Sequence, residues 1–402
     1  MAWFKKKPKE ARDFTLKQKV NWFVDWLGVN KTSSGETVTE ETATTLTAVW
    51  SAVKLLSESV AGLPVQVFTR NGNSKDIDRE NPVYTLLHSE PNPYMTSFLF
   101  HQTMMSDVLL WGNAYARIHR DSAYRVKWLE IIPPSNVTVE IKGKKWFKVE
   151  GLQNKIADRD MIHVVGLSYN GVTGKSPIQV CKEAIGLGLA AEKFGGNFFG
   201  NGANMTGVLE APFAMTPDQS KQLSKSWDQK NSGNDKSGGT AILEGGLKYQ
   251  RIGIPPDQAQ FIATRKFQVN EIARMFNVPP HLIGDLERST NNNIEQQSIE
   301  FVTYSLLPWV KRFEQEYNRK LFKEDEKGNT FAEFNLSGLL RGDVVARAQY
   351  YKTMWEIGAF NDNEIRALEN KNPYKGGDQF LVPMNMTTTD KIGQDEQGNE
   401  GI

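Results

Sequence analysis

Glu271-Ile272-Ala273-Arg274-Met275-Phe276-Asn277-Val278-Pro279-Pro280-His281-Leu282-Ile283-Gly284-Asp285 is the stretch on which the reading of the fold turns. Its first half completes a helix over residues 257–277, which at about 1.5 Å per residue spans roughly 30 Å. Pro279 and Pro280 stop that helix, because proline has no N–H to donate and disfavours helical backbone in the residue before it. Residues 284–293 then read as a polar loop ending in Asn291-Asn292-Asn293. A third long helix is predicted over 294–322, kinked at Pro308. The loop between the helices is thus pinned at both ends and points to one side of the subunit.

Upstream, residues 176–205 predict a matching long helix. Ser176 can cap it, with Pro177 at the favoured first position. Gly186, Gly188, Gly195, Gly196 and Gly200 lie inside it. A glycine costs about 1 kcal/mol per helix position relative to alanine, so this many imply that something packs very close to the backbone. In a ring, the helix of a neighbouring subunit would fill that role. Between the two helices, residues 206–256 read as a small α/β module. Val208-Leu209-Glu210 and Ala241-Ile242-Leu243 are its strands, and a helix runs from Thr216-Pro217 to near Lys230. A glycine-rich polar loop over 231–239 forms its tip. Two long helices bracketing an inserted module suit a tall, elongated subunit better than a compact one.

Further out, residues 42–175 predict a mixed α/β domain. Leu46, Val49, Trp50, Val53, Leu56 and Val60 recur with helical spacing, so one face is buried. Val65 to Phe68 alternate as a strand, and Asn71-Gly72 is a hairpin turn signal. A helix over 97–111 and strands over 115–119, 128–132, 137–141, 146–149 and 161–165 follow. Residues 1–41 form a basic, then polar arm, either solvated or laid on a neighbouring subunit. Helices over 343–357 and 363–368 precede a polar tail after Thr387, read as disordered. The fold class is α+β.

Composition restricts the function. Lys and Arg total 48 against 47 Asp and Glu, a net charge of +1. A protein gripping phosphates along its length would gain affinity from clustered cations. One that lets nucleic acid slide past should lack them. A single cysteine, Cys181, excludes an intrachain disulfide and fits a reducing compartment. It reads as a small buried hydrophobe. No apolar run approaches the roughly 20 residues needed to span a bilayer, and the basic N-terminus lacks a cleavage site for a signal peptide.

Signals for catalysis fail on inspection. Gly171-Val172-Thr173-Gly174-Lys175-Ser176 resembles the end of a phosphate-binding loop, but Tyr169 stands where its first glycine is required. Gly186-Leu187-Gly188-Leu189-Ala190-Ala191 matches a dinucleotide fingerprint in letters yet lies within a helix, where the N–H groups are already used. The five histidines (His88, His101, His119, His163 and His281) show no i, i+4 pair and read as structural. Asp257, Asp285 and Asp343 are too scattered for a two-metal nuclease unless the fold gathers them. The expectation is a protein that is not an enzyme and uses no cofactor or metal.

Several stretches together resemble the portal proteins of tailed phages with long non-contractile tails. These are Leu46-Thr47-Ala48-Val49-Trp50 with Ala61-Gly62-Leu63-Pro64; Pro82-Val83-Tyr84-Thr85-Leu86-Leu87 with Pro91-Asn92-Pro93-Tyr94; Trp111-Gly112-Asn113-Ala114-Tyr115-Ala116; and His163-Val164-Val165-Gly166 with Gly174-Lys175-Ser176-Pro177. The opening stretch, continued through Thr290-Asn291-Asn292-Asn293-Ile294-Glu295-Gln296-Gln297 to Leu307-Pro308-Trp309, is the most specific. Their order across residues 42–325 carries the likeness.

The resemblance implies a dodecameric ring at one capsid vertex, through which double-stranded DNA is packaged and ejected. Residues 42–175 resemble the wing, 176–205 and 257–280 the stem helices, and 206–256 the clip. Residues 281–293 resemble the tunnel loop, 294–339 the long helix returning to the wing, and 340–386 the crown. DNA-facing residues would be Asp285, Glu287, Arg288, Asn291, Asn292 and Asn293, and the glycines of 176–205 would pack the stem. The clip loop, with Asn231, Ser232, Gly233, Asn234, Asp235 and Lys236, would dock other proteins. Implied partners are further copies of the chain, sliding DNA, the terminase large subunit, head-completion adaptors, and capsid and scaffolding proteins. The implied location is the portal vertex of a virion, assembled in the host cytoplasm, with no membrane. The rivals are a capsid or tail component without a channel, and a DNA-processing enzyme.

Overall fold

The computed structural model describes residues 14–16, 31–72, 74–200, 207–212, 214–231, 245–251, 258–285, 297, 299–336, 344–369 and 371–380. The chain divides into two units after Asn335.

In chain order the first unit contains β1 (Phe14–Leu16), α1 (Glu40–Ala43), α2 (Thr47–Ala61), β2 (Val65–Asn71), β3 (Ser74–Ile77), α3 (Pro82–His88) and α4 (Ser97–Trp111). Then come β4 (Asn113–Arg120), β5 (Val126–Ile132), β6 (Val137–Lys142), β7 (Lys144–Val149), β8 (Ile156–Ala157) and β9 (Met161–Val165). Next are α5 (Pro177–Val180), α6 (Lys182–Gly200), β10 (Gly207–Glu210), α7 (Pro217–Asn231), β11 (Lys248–Arg251) and α8 (Gln258–Phe276). A π-helical turn (Phe301–Leu306), α9 (Leu307–Lys320) and β12 (Thr330–Phe334) complete it. Among the described residues every strand pair is antiparallel, in sheets ordered β1-β6-β7-β8, β5-β4-β9, β12-β2-β3 and β10-β11.

The apolar periodicity of α2 buries Val49, Val53, Leu56 and Val60, while Trp50 stays 59% exposed. Thr96 caps α4 through the Leu99 N–H, and Gly112 ends it in left-handed backbone. Phe100, Met104 and Val108 of α4 are fully buried, as are Val310, Phe313 and Tyr317 of α9. His101 packs edge-on against Tyr317 and Phe334 there. Burial lowers its pKa to about 4, so the ring is neutral. A second core joins Tyr115, Val139, Phe147 and Met161 across two sheets.

Several details depart from the sequence reading. The long helix expected over 176–205 breaks at Cys181, giving α5 and α6. Ser176 does cap the first piece, accepting from the Gln179 N–H at 3.2 Å. Cys181 at the break is only partly buried, not a core residue. The strand opposite β10 is Lys248–Arg251; residues 241–243 lie outside the described set. β12 had no local signal: it pairs with β2, Phe334 opposite Val65, across more than 260 residues.

The second unit contains α10 (Val344–Glu356) and α11 (Asp362–Leu368). Asn361 caps α11 with a capping box, its side chain accepting from the Glu364 N–H while Glu364 accepts from the Asn361 N–H.

Candidate functional site

The site of interest is the junction that holds the two ends of the loop following α8. α8 is followed by Asn277, whose φ of 54° is left-handed and suits asparagine better than most side chains. The Val278 N–H donates back to the Ala273 carbonyl at 2.9 Å, closing the helix end. Pro279 then turns the chain into a 3-10 turn, Pro280–Ile283, which ends at Gly284 with φ 101°. Asp285 follows, folded back so that its carboxylate accepts from the Asn270 amide at 2.8 Å.

The returning strand of chain is irregular for a definable reason. Pro308 has no N–H, so the Tyr304 carbonyl loses its helical donor. The expected kink is resolved as a π-helical turn over Phe301–Leu306 immediately before the proline. The freed Tyr304 carbonyl accepts from the Asn277 amide at 2.9 Å. Ser305 donates its hydroxyl to the Asn277 carbonyl. One residue, Asn277, therefore ends α8 and clamps the helix that follows the loop. Beside the clamp lies a cleft of about 370 Å³, with Asn270, Arg274, Pro279, Glu300 and Tyr304 on its walls. Among the described residues, neither ring nitrogen of the enclosed His281 has a hydrogen-bond partner.

Of the residues singled out for the loop, Asp285 is placed at its start. Glu287, Arg288, Asn291, Asn292 and Asn293 lie outside the described residues. Asn231 is the last residue of α7; Ser232, Gly233, Asn234, Asp235 and Lys236 also lie outside. Trp227 of α7 stacks on Tyr249 of β11 with centroids 5.4 Å apart, which ties the helix to its sheet.

The glycines of α6 have partners that sequence reasoning missed. A Cβ on Gly186 would lie 2.5 Å from the Thr32 hydroxyl, and one on Gly188 3.1 Å from Leu46 and 3.8 Å from Gln268. The close approach at these two positions is made by the chain's own segments, correcting the assignment to a neighbouring subunit. Around Gly196 the space is open. Gly195 is buried, and of Gly200 only its place at the end of α6 is described.

The stretch resembling a phosphate-binding loop is a packing joint. Gly174 approaches Gly112 so closely that a Cβ would sit 1.9 Å from the Gly112 carbonyl oxygen. Asn113 fixes this contact, accepting from the Gly174 N–H at 2.8 Å and donating to the Gly174 carbonyl at 2.9 Å. The same Asn113 oxygen accepts from His163 Nε2 at 3.0 Å, and Lys145 donates to His163 Nδ1 at 2.8 Å. Burial, then the nearby Lys145 and Lys320, hold His163 far below its usual pKa, so it is neutral. Lys145, partly buried and beside Lys320, is lowered to about 8, desolvation being the larger cause.

Lys320 completes this network. Its ammonium, on a side chain only 2% exposed, lies 2.8 Å from Glu316 and 3.3 Å from Asp158, and donates to the Met161 carbonyl. The arrangement ties α9 to β7 and β9. Among the described residues no group of side chains is arranged to hold a metal ion, and no helix is long and apolar enough to cross a membrane.

Comparison with known proteins follows the same outline. The family model described as "Phage portal protein" matches residues 47–370. The portal protein of Enterobacteria phage HK97 is 37% identical over 349 residues, covering 85% of this chain and 82% of its own. An HK97-family phage portal protein from Corynebacterium diphtheriae has a similar fold, with a TM-score of 0.58 at 19% identity over 75% of this chain and 96% of its own. A chain from the neck of a native gene transfer agent particle, computed with C12 symmetry, aligns with a TM-score of 0.53 at 20% identity, covering 81% of this chain and 91% of its own. The chain belongs to the phage portal protein family.

Proposed function

We propose that this chain is the subunit of a dodecameric ring at one capsid vertex, the channel through which double-stranded DNA is packaged and later ejected. The observation that carries the reading is the family match over residues 47–370. The antiparallel helix pair α6 and α8, with a small α/β module inserted between them, supports it. In this reading residues 42–175 are the wing, α6 and α8 the stem, 206–256 the clip, 281–293 the tunnel loop and 340–386 the crown. The protein is passive. A terminase motor drives DNA through the ring, and head-completion adaptors dock later on the clip, around residues 231–236. Capsid and scaffolding proteins surround it at the vertex, and it assembles in the host cytoplasm. The Asn277 clamp supports the loop assignment, because it holds the end of α8 against the helix that follows the loop, while Asp285, Glu287 and Arg288 sum to about one negative charge. Such a loop touches DNA without a salt-dependent hold.

Replacing Asn291, Asn292 and Asn293 together with lysine tests the reading. Rings assemble as before, while packaging in vitro slows several-fold, more strongly at low salt, because each added cation facing phosphate contributes counterion release. Unchanged packaging rates across a range of salt concentrations would remove this loop from the DNA path.

A further inference from the structure

The helix pair α6 and α8 presents two exposed faces whose composition and height match each other. On α6 the face is Glu183, Leu187 and Phe194, with Leu187 47% and Phe194 50% exposed. Val180, 60% exposed and seven residues before Leu187, extends it past the break at Cys181. On α8 the face is Ala263, Phe267 and Arg274, with Phe267 57% exposed and the Arg274 side chain 73% exposed. Apolar side chains this large at helical spacing along an exposed face mark an interaction surface.

The two faces lie on opposite sides of the pair. α6 turns Gly188 and Glu192 toward α8, and α8 turns Gln268 and Arg265 toward α6. At about 100° per residue, the exposed face of each helix is roughly 150° around from the face it turns to its partner. One subunit therefore offers two different surfaces pointing away from each other. That is the requirement for a head-to-tail contact that closes into a ring.

The register within the pair fixes which residues would meet. Gly188 lies against Gln268, and Glu192 pairs with Arg265 at 3.1 Å. Followed back toward the start of α6, this antiparallel register brings Glu183 level with Arg274, and Val180 level with Asn277. Rotation about an axis along the helices leaves heights unchanged. Glu183 of one subunit then stands level with Arg274 of the next, a carboxylate facing a guanidinium. Each already has a contact in its own chain, Glu183 with the Ser33 N–H and Arg274 with Glu271, and both stay exposed enough to be shared. At the height of Val180 the α8 side offers the cleft with Pro279 and Tyr304 on its walls, Tyr304 being 66% exposed.

We infer that the subunit seam is formed by the Val180–Glu183–Leu187–Phe194 face of one copy packed on the Phe267–Arg274 face of the next, with Glu183 paired to Arg274 and Val180 seated in the cleft. This rests on the ring reading above and specifies its interface.

The test is disulfide trapping in the full chain, with Cys181 replaced by serine. Glu183→Cys and Arg274→Cys in one chain, oxidised with copper phenanthroline, should give a ladder of oligomers on a non-reducing gel that collapses on reduction. Either cysteine alone should give no ladder. In parallel, Glu183→Arg or Arg274→Glu alone should lower ring yield at micromolar concentration by at least about fivefold, from like charges brought face to face. The double reversal should restore it, and circular dichroism of each variant checks that the subunit is folded. Rings that form with no trapped ladder, and with both reversals neutral, would overturn the seam and leave the ring standing. Loss in the single reversals with no rescue and no ladder would overturn it as well. A wild-type chain that never forms rings would fail the ring reading itself, and the seam with it.

Discussion

The sheet-bearing part of the first unit and the helix pair α6 and α8 solve the problem of burial differently. Where α4 packs on α9, Phe100, Phe313 and Tyr317 are fully buried, although Phe98 at the start of α4 is 44% exposed, and even the ammonium of Lys320 is held inside by Glu316, Asp158 and a carbonyl. Along α6 and α8, Leu187, Phe194 and Phe267 remain about half exposed. The first region closes its aromatic core within one chain. The second leaves apolar side chains about half uncovered along the described helix faces.

Substitution should separate the two regions most sharply. Phe313→Ala removes a fully buried ring, and should cost the subunit about 3–5 kcal/mol in urea unfolding followed by circular dichroism. Leu187→Ala should cost it within about 0.5 kcal/mol, while reducing ring yield. Equal losses of subunit stability from both would erase the distinction.

Lys320→Ala sharpens the comparison on the polar side. Removing one member of a buried ionic network leaves Glu316 and Asp158 without their enclosed ammonium, at a cost of about 3 kcal/mol. An unfolding midpoint equal to wild type would show the network to be solvated.

Asp107 of α4 gives a smaller, pH-dependent effect. Burial raises its pKa from 3.8 to about 7. The folded state thus holds the proton more tightly than the unfolded chain, so the penalty is absent below about pH 4, grows between pH 4 and 7, and is complete above that. Asp107→Asn should therefore leave stability unchanged at pH 4 and raise it by on the order of 1–2 kcal/mol at pH 8, with allowance for the partial exposure of the side chain. Thermal unfolding at both pH values checks the sign.

Much of this organisation was legible in the residue pattern, for local reasons. The face of α2, the hairpin at Asn71-Gly72, the caps at Ser176 and the stop at Pro279-Pro280 are all set by residues within a turn or two of one another. What was not legible depends on distant chain. β12 finds β2 more than 260 residues away, and Thr32 fills the space beside Gly186 from outside any helix. Lys320, at the end of a charged helix, reads as a solvated residue until α9 is laid on β9. Pro308 signalled a kink, but the π-helical turn also depends on Asn277, whose amide takes the carbonyl that the proline leaves free. The candidate loop itself was found from its flanks, Pro279-Pro280 on one side and the helix after Ile294 on the other, which are local signals. Its anchor in the fold is a long-range contact.

The central claim is that the exposed faces of α6 and α8 are closed by further copies of the same chain around an open channel. Negative-stain electron microscopy of the purified full-length protein at micromolar concentration tests it most directly. The account predicts rings of uniform diameter with a stain-filled central hole. Isolated particles of monomer size, or closed assemblies without a hole, would contradict it.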